Sequence, residues 1–456
     1  MGSSFPKYIY DPIHELIEFA DNDCDRLLLA LIETREFQRL RRVRQLGMTS
    51  LVFPGANHSR FSHALGVLAL TRKFLRQVRN LGRAVQCDHR AIVLSAALLH
   101  DIGHGPFSHV FEKISGESHE KRTAEIILGD TEVNSVLVGF GIPHLPRRIA
   151  AFFYEDAPDI EEPDENRGGG CSDPQHDRVP SYLVQLVSSQ LDADRFDYLL
   201  RDSHFTGVNY GNFDHRWLIG HLEFGDPPLD ERLVLTEKAR SSAETYVFAR
   251  YHMYRSVYFH KTTRAAETML RLLFKRFSEL ADKDPEEATK LVPGVPQELV
   301  AAFTGQCSLE EYINMDDDLV SIFMRQCEQS RDDILARLGA GLTNRRLYKC
   351  IDLSAHHVDD LMAINEARDK YRDELRDAKK IPDYWFAQDS PADAPYRPYS
   401  PTSDTTPLLI KTASGTVELS QLSKPVSELT KYAFDRYYFP EDTRDRVSAI
   451  FDRILR

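Results

Sequence analysis

Apolar residues in the first third of the chain recur at helical spacing. In segment 28–46 they are followed by Gly47 as a stop signal, and they fall at Leu28, Ile32, Phe37, Leu40, Val43 and Leu46. Segments 63–82 and 88–103 repeat this pattern, and each ends in a glycine. The pattern predicts helices over these segments and a helical first half.

The middle of the chain alternates between unstructured and regular patterns. Residues 156–180 combine acidic residues, prolines and a triple glycine, which predicts a mobile loop. A helix is expected over 181–203. Two short β-like runs in 221–236 flank a Pro-Pro-Leu-Asp turn, which predicts a hairpin.

The C-terminal part predicts three successive pieces. The pattern is helical from 239 to about 380, and residues 386–407 then hold five prolines among Ser, Asp and Thr, which indicates an irregular linker. Residues 408–456 predict a hairpin followed by a helix. The expected fold is therefore mainly α with small β-hairpins, divided into a core over 1–385, the linker and a small α+β C-terminal lobe.

Composition narrows the class of protein. With 456 residues, 42% apolar and 28% charged, the chain is globular rather than disordered. Its longest apolar run, 91–99, is too short to cross a bilayer, and the N-terminus carries no signal-peptide pattern, so we expect a soluble, cytoplasmic protein. Six scattered cysteines encode no disulfide framework, and a net charge of −13 argues against extended nucleic-acid binding.

The candidate chemistry lies in a cluster of histidines and carboxylates. Within 21 residues the chain places His100, His104, His109, His119, Asp101, Glu112 and Glu120. The His100-Asp101 pair ends an apolar helix, just before glycines and a proline that break it. Such nitrogen and carboxylate ligands suit Zn, Fe, Mn or Ni. The alternative for one such pair alone is a set of capping or surface residues.

Two further strings complete a pattern of the form H…HD…D. The string "FPGANHSRFSHALGV" supplies His63, and "QLDADRFDYLLRDS" supplies Asp194. Together with "LLHDIGHGPFSH" and "YFHK", these strings resemble the HD-domain phosphohydrolases. More narrowly, they resemble the deoxynucleoside triphosphate triphosphohydrolases of the sterile-alpha-motif-and-HD-domain type, here without a sterile alpha motif. The resemblance extends from about Lys7 to Lys261 and is loose in the C-terminal third.

The resemblance implies a metal-dependent reaction in which a dNTP is cleaved to a deoxynucleoside and inorganic triphosphate. It implies a divalent metal held by His63, His100, Asp101 and Asp194, with Mg²⁺ as a companion of the triphosphate. It also implies that the residues acting around the α-phosphate are His104, His109, His119, Glu120 and Glu112. Among these, His109 is the expected general acid, because imidazole titrates near neutrality, and Glu112 would orient it.

The resemblance also implies which residues hold the substrate. The matching positions are Gln45, Leu46, Arg60, Arg195, Tyr198, Asp202, Arg250 and Tyr258. Tyr198 and Asp202 would read the deoxyribose 3′-hydroxyl, and Tyr258 would leave no room for a 2′-hydroxyl. Arg195 stands where the family usually has lysine, which keeps the charge and changes the geometry. The alternative for Leu46 and Tyr258 is core packing.

Two regulatory sites are implied in the same way, in a homo-oligomer of two or four subunits. An activating GTP or dGTP would bind Lys7, Glu33, Gln38 and Arg41, and a second nucleotide would bind Val52, Phe53, Lys238, His260 and Lys261. The chain departs from the family pattern at Glu15 (glycine usual), Glu33 (aspartate usual) and Thr236 (arginine usual). Glu15 and Glu33 concern the activating site, and Thr236 concerns the second nucleotide site.

Two other functions remain open from the sequence. One is an HD-domain phosphohydrolase acting on a nucleoside monophosphate or a guanosine alarmone. The other is a nucleotide-sensing or nucleic-acid-binding protein with vestigial catalysis, against which the intact H…HD…D set argues. Further histidines in the motif strings, among them His14 and His58, are expected to be structural or secondary contacts.

Overall fold

The computed structural model describes residues 6–108, 110–112, 116–154, 179–354, 361–393, 407–429 and 432–455. His109 and nearly all of the predicted loop 156–180 lie outside the described residues, as does most of the predicted linker. The prediction for each of these stretches therefore stays a prediction.

The structure is mainly α-helical, as expected, with small sheets. The helices of the first half are α1 (Asp23–Glu33), α2 (Arg35–Arg39), α3 (Arg60–Asn80), α4 (Cys87–Leu99), α5 (His119–Leu128), α6 (Glu132–Gly139), α7 (Leu145–Ala150), α8 (Ser181–Val184), α9 (Ala193–Thr206) and α10 (His215–Gly220). Those that follow are α11 (Arg240–Met253), α12 (Lys261–Ala281), α13 (Pro285–Leu291), α14 (Gln297–Phe303), α15 (Leu309–Asn314), α16 (Asp317–Glu328), α17 (Asp333–Thr343), α18 (Leu361–Asp377), α19 (Pro382–Trp385), α20 (Leu419–Leu422), α21 (Lys424–Ser427) and α22 (Arg444–Leu455). Single-turn 3₁₀ segments and a π-helical turn, Tyr254–Tyr258, connect some of them.

The described strands form four small sheets. They are β1 (Lys7–Asp11), β2 (Glu15–Phe19), β3 (Leu222–Phe224), β4 (Leu233–Thr236), β5 (Lys349–Asp352), β6 (Ala387–Asp389), β7 (Ala392–Asp393), β8 (Leu409–Thr412), β9 (Gly415–Glu418), β10 (Tyr432–Ala433) and β11 (Arg436–Phe439). The predicted hairpins β3-β4 and β8-β9 are confirmed, and β4 pairs with β8 in parallel to join them into one sheet. β11 lies between β5 and β6. The C-terminal strands thus complete sheets begun earlier in the chain.

Two predicted helices are broken, and side chains explain both breaks. The helix expected over 28–46 ends at Glu33, because the Thr34 hydroxyl donates to the Leu31 carbonyl at 2.7 Å and replaces a helical bond. The helix expected over 181–203 is interrupted at 185–192. There Asp192 caps α9 by accepting the backbone N–H of Arg195 at 2.8 Å.

Regular structure also appears where none was expected. The N-terminal hairpin β1-β2 turns at Asp11, whose Oδ1 accepts the backbone N–H groups of Ile13 and His14, each at 2.9 Å. Strands β6 and β7 fall inside the predicted linker 386–407, where pairing with β11 and β10 orders the chain despite its prolines. The Asp-Pro pair at 11–12 was the available signal for the first of these turns.

The catalytic candidates lie where two apolar cores meet. Helices α3 and α4 contribute to the larger cluster of buried residues, whereas Met48, Phe107 and Phe111 belong to a second cluster built on α12 and α16. The segment that follows His100-Asp101 therefore crosses from one core to the other. Among the described residues, no helix is both long enough and apolar enough to span a bilayer.

Candidate functional site

Three helix ends bring the H…HD…D residues together. His63 lies in the first turn of α3, the His100-Asp101 pair directly follows α4, and Asp194 lies in the first turn of α9. The Nε2 atom of His63 is 3.1 Å from Nε2 of His100 and 3.0 Å from Oδ1 of Asp194. The Asp101 carboxylate is 3.4 Å from His100 and 3.7 Å from His63. His63, His100 and Asp101 thus offer ligand atoms of the types that transition metals prefer within 4.8 Å of one another, and Asp194 lies within 3.7 Å of both histidines.

Hydrogen bonds on the opposite ring nitrogens orient both histidines. Nδ1 of His63 is 2.7 Å from Oδ2 of Asp197, and Nδ1 of His100 is 2.9 Å from the Ala97 carbonyl. Both acceptors hold a ring proton on Nδ1, so Nε2 is the atom that each ring directs at the other ligand candidates. The arrangement therefore fits a divalent metal ion.

Asp197 is the centre of a buried charge network. Its carboxylate accepts Nε of Arg201 at 2.7 Å and lies 2.6 Å from Nε2 of His14. Burial would raise the pKa of Asp197, but Arg201 and the hydrogen bonds from both histidines hold it well below the usual range. Gly66 makes this approach feasible, because a Cβ there would lie 1.9 Å from Oδ1 of Asp197. Asp197 thus stays ionised behind the metal ligand His63.

The pKa shifts of the ligand candidates indicate that this site stabilises a positive charge. Burial lowers the pKa of His63, but its hydrogen bonds to Asp194 and Asp197 raise it to about 10. Burial opposes ionisation of Asp101, and the Arg60 guanidinium outweighs it to hold that pKa well below its usual range. The negative charge of the Asp101 and Asp194 carboxylates exceeds the single positive charge of Arg60, as expected for a site that binds a cation.

Arg60 ties Asp101 to the turn that follows it. Its Nη1 donates to Asp101, while Nε and Nη2 donate to the Ser108 hydroxyl at 3.0 and 2.8 Å. All three side chains are buried. The phosphate-binding candidate Arg60 is therefore held in place beside the ligand cluster.

A second cluster of titratable side chains lies on the segment that follows Asp101 and at the start of α5. The rings of His104 and His119 stack with centroids 3.8 Å apart and 14° between planes, and Oε1 of Glu112 is 2.8 Å from Nδ1 of His119. Nδ1 of His104 lies 3.2 Å from the same Glu112 oxygen, so one carboxylate contacts both rings, an arrangement suited to moving or holding a proton. Gly103 allows α5 to approach, since a Cβ there would lie 2.2 Å from the His119 carbonyl.

The two stacked histidines differ in charge state. Burial, with Arg60 nearby, lowers the pKa of His104 to about 4. Burial also lowers that of His119, but the hydrogen bond to Glu112 and the carboxylates of Asp101 and Glu112 outweigh it, so the net shift is upward. At neutral pH, His104 is neutral. Oε1 of Glu120 lies 3.4 Å from Nε2 of His119.

One cavity of about 440 Å³ joins the metal-ligand cluster to the predicted sugar-binding residues. Its lining includes His63, Asp101 and Asp194 at one end, and the predicted substrate residues Gln45, Leu46, Arg60, Tyr198, Asp202 and Tyr258. The Tyr258 hydroxyl donates to Asp202 at 2.7 Å, and His58 Nε2 is 2.8 Å from the other carboxylate oxygen. The buried Oε1 atom of Gln45 has no hydrogen-bond partner among the described residues.

Two predicted phosphate contacts are not part of the described lining. Arg195 donates to Asp192 and to the Ser189 carbonyl, so its guanidinium serves the start of α9. Arg250 is buried with its guanidinium 5.3 Å from the ring centre of Tyr254. Their predicted contact with phosphate remains untested.

The regulatory candidates fall into separate regions. Lys7, Glu33, Gln38 and Arg41 all line a cavity of about 400 Å³ between the N-terminal hairpin and α3. Within it, Arg41 donates to Gln38 at 2.8 Å. For the second set, the rings of Phe53 and His260 lie 5.8 Å apart, and Lys261 lines another cavity of about 450 Å³. The described lining of that cavity includes neither Val52 nor Lys238.

The sequence analysis missed the residues that support the site. Asp197 was in the motif string "DADRFDYLLRDS" without a role, whereas His14 and His58, expected to be structural or secondary contacts, lie against Asp197 and Asp202. The available signal was spacing, because Asp197 lies three residues after Asp194 on the same helix. Its contact with α3 had no local signal.

Comparisons with known proteins identify a domain over the part of the chain that carries His63, His100 and Asp101. The HD domain model matches residues 60–164, and the HD associated region matches 213–292. An uncharacterized protein of Bacillus subtilis, YwfO, is 35% identical over 443 residues, covering 96% of this chain and 92% of that protein. The deoxynucleoside triphosphate triphosphohydrolase SAMHD1 of Bos taurus is 30% identical over 283 residues, which is 58% of this chain and 46% of that protein.

A solved structure covers nearly the whole chain. The crystal structure of a phosphohydrolase from Bacteroides thetaiotaomicron aligns with a TM-score of 0.75 and 28% identity, over 96% of this chain and 100% of that one. By contrast, the match to the bovine protein spans less than half of that protein.

Proposed function

This chain belongs to the HD-domain phosphohydrolase family, and from that premise we propose that it is a metal-dependent dNTP triphosphohydrolase releasing deoxynucleoside and inorganic triphosphate. One observation carries the proposal. A single cavity is lined by the metal-ligand cluster and, next to it, by Tyr198, Asp202 and Tyr258. A site of that shape suits a substrate with a phosphate chain and a deoxyribose.

The proposed cofactor is a divalent Fe, Mn, Zn or Ni ion held by the His₂Asp₂ set, with Mg²⁺ accompanying the triphosphate. Such an ion polarises a phosphate oxygen and lowers the pKa of water when bound. The donor set fits because both Nε2 atoms of His63 and His100 are directed inward by hydrogen bonds on their Nδ1 atoms.

The proposed roles of the chain's own residues follow their positions. Arg60, fixed between Asp101 and Ser108, provides a buried positive charge for the phosphates. His109 is proposed to protonate the departing 5′ oxygen, and Glu112 holds the proton on Nδ1 of His119. The residues proposed to act near the α-phosphate thus combine the positive charge of Arg60 with the proton donors His109 and His119.

At the sugar end, two aromatic rings and a carboxylate are fixed to one another. Asp202 is buried and accepts the Tyr258 hydroxyl, while the rings of Tyr198 and Tyr258 lie 6.2 Å apart in an edge-on arrangement. Widening this pocket for an additional hydroxyl would break the hydrogen bond between Tyr258 and Asp202. We therefore propose that this wall selects deoxyribose.

The test is chromatography of the products formed from the four dNTPs and the four NTPs by protein with measured metal content. Deoxynucleoside and intact triphosphate are the expected products. Orthophosphate or pyrophosphate would instead favour the alternative phosphohydrolase on a monophosphate or alarmone. Nucleotide binding without turnover would favour the sensing function.

We expect dNTPs to be preferred over the matching NTPs by at least roughly tenfold in kcat/KM, which is about 1.4 kcal/mol. Tyr258→Ala should reduce the preference, because the wall beside Asp202 is removed. Tyr258→Phe separates the effect of the ring from that of the hydrogen bond to Asp202, and because it keeps the ring it should reduce the preference less than Tyr258→Ala does. Equal turnover of GTP and dGTP by the native protein would contradict this pocket.

We also propose that GTP or dGTP activates the enzyme at the cavity lined by Lys7, Glu33, Gln38 and Arg41, in a homo-oligomer. The support is that these residues share one cavity and that the N-terminal hairpin exposes Tyr10 to 87%. A nucleotide bridging two subunits would stabilise the assembly by its differential affinity.

If GTP binds in this cavity, its addition should increase the rate of dTTP hydrolysis. The mass of the protein assembly measured by light scattering should increase as well. Arg41→Ala should abolish both effects. Arg42→Ala is the control, because Arg42 pairs with Asp316 outside the cavity. An unchanged rate and an unchanged mass would leave the enzyme unregulated by this cavity.

A further inference from the structure

The loop that carries the candidate catalytic residues contains two strained positions. Phe107 and Ser108 have φ values of 51° and 52°, in the left-handed region that non-glycine residues avoid. Such residues persist only where surrounding contacts over-determine the backbone. Something in the fold must therefore hold this turn.

The contact that holds it comes from a distant part of the chain. Asp317, the first residue of α16, accepts the backbone N–H of Phe107 on Oδ1 at 2.7 Å and that of Arg44 on Oδ2 at 2.9 Å. The side chain is buried, and both carboxylate oxygens are used. Burial raises the pKa of Asp317 to about 6, against the lowering effect of these two backbone hydrogen bonds.

The strained turn also fixes Arg60, the phosphate-binding candidate. The Ser108 hydroxyl accepts two N–H groups of Arg60, and Arg60 donates to the metal-ligand candidate Asp101. A continuous chain of hydrogen bonds and one backbone turn therefore connects Asp317 with Asp101.

Neighbouring contacts hold the first half of the same loop. Arg39, fully buried, donates to the carbonyls of Ile102 at 2.7 Å and His104 at 2.9 Å, and the Tyr312 hydroxyl donates to the Gly103 carbonyl at 2.7 Å. Arg39 also donates to the Met315 carbonyl at 3.0 Å. Three successive carbonyls after Asp101 are thus held by side chains from outside 60–164, the range of the HD domain match.

We propose that Arg39, Tyr312 and Asp317 form a clamp that positions the loop 101–108 for catalysis, and that Asp317 is its principal positioning residue. The proposal rests on the proposed function for its kinetic test. It assigns a catalytic contribution to a segment outside both the HD domain and the HD associated region. The clamp touches no substrate and acts through Ser108 and Arg60.

The test compares Asp317→Asn with Asp316→Asn. In Asp317→Asn the amide accepts one N–H and presents its own NH₂ to the other, so one backbone group loses its partner. We expect kcat to fall about 10- to 100-fold, with a smaller rise in KM for dNTP and an unchanged metal content, because misplacement of a catalytic loop acts mainly on rate. Asp316→Asn makes the same charge change but contacts α16 and Arg42, and it should retain the native kcat.

A second measurement does not depend on the substrate. Amide hydrogen exchange in a peptide covering 101–112 should be faster in Asp317→Asn than in the native protein, and unchanged in Asp316→Asn. Combining Asp317→Asn with Ser108→Ala should give a non-additive loss of kcat, because both changes act through the same turn. Native exchange in the loop or fully additive losses would overturn the clamp.

A milder variant covers the case in which Asp317→Asn does not fold. Tyr312→Phe removes only the donor to the Gly103 carbonyl, and it should raise exchange of the same peptide and lower kcat by a smaller factor. Native values for both would overturn the proposal. If the native protein cleaves no dNTP, the proposed function fails, while the exchange comparison still decides the clamp.

Discussion

Asp101→Ala is expected to lose its bound transition metal and at least ~1,000-fold of dNTP hydrolysis while keeping its helical circular dichroism spectrum. The substitution removes one ligand from the cluster and leaves Arg60 with one acceptor fewer. His63→Ala should behave in the same way, since its Nε2 atom is at the centre of the cluster. Metal content by mass spectrometry and product chromatography are the measurements.

The matched control for the ligand substitutions is Asp197→Asn. Asp197 orients His63 without being a ligand candidate, so we expect metal affinity to fall roughly 10- to 100-fold and activity to return with excess metal. Excess metal should not restore Asp101→Ala to the native rate. Full activity of Asp101→Ala or of His63→Ala without added metal would refute the ligand assignment.

The second large effect is expected from His109→Ala, which should retain bound metal and lose at least ~100-fold in rate, the usual scale for removal of a general acid. Metal is retained because His109 is not among the four ligand candidates. The measurement is kcat at saturating dNTP together with metal content. A native rate in His109→Ala would move the acid role to a neighbouring histidine.

The structure indicates how those neighbours would be distinguished. Burial lowers the pKa of His104 to about 4, so it holds no additional proton at neutral pH, whereas that of His119 is raised by Glu112 against the effect of burial. If His119 were the acid, Glu112→Gln would impair the rate as strongly as His119→Ala, and His104→Ala would impair it less. If His109 is the acid, its replacement should have the largest effect of the three histidines.

Much of the local structure followed from the sequence because it depends on neighbouring residues. Helices α3 and α4 begin and end close to where apolar spacing and glycines predicted, since burial of one face and helix termination are both local in the chain. The hairpins β3-β4 and β8-β9 also lie where turn residues separate two short apolar runs. Where a side chain competes with the helix, as at Thr34, periodicity alone extended the helix too far.

The ligand candidates are the part of the site for which the motif was sufficient. His63, His100, Asp101 and Asp194 lie at or next to helix termini, and the structure brings all four together. Their chemistry is a property of the residue types, so a sequence pattern was enough to name them. It could not determine how the ligands are oriented or how the loop beside them is held.

The sequence by itself determined the mainly helical fold class, most helices and hairpins, and the identity of the metal-ligand candidates. Only the tertiary structure decided that Asp197 reaches His63 past Gly66, that β4 pairs in parallel with β8, and that Asp317 holds the turn at Phe107. Each of these contacts joins residues more than a hundred positions apart. Their formation depends on how two apolar cores pack against each other, and a pattern of neighbouring residues carries no record of that packing.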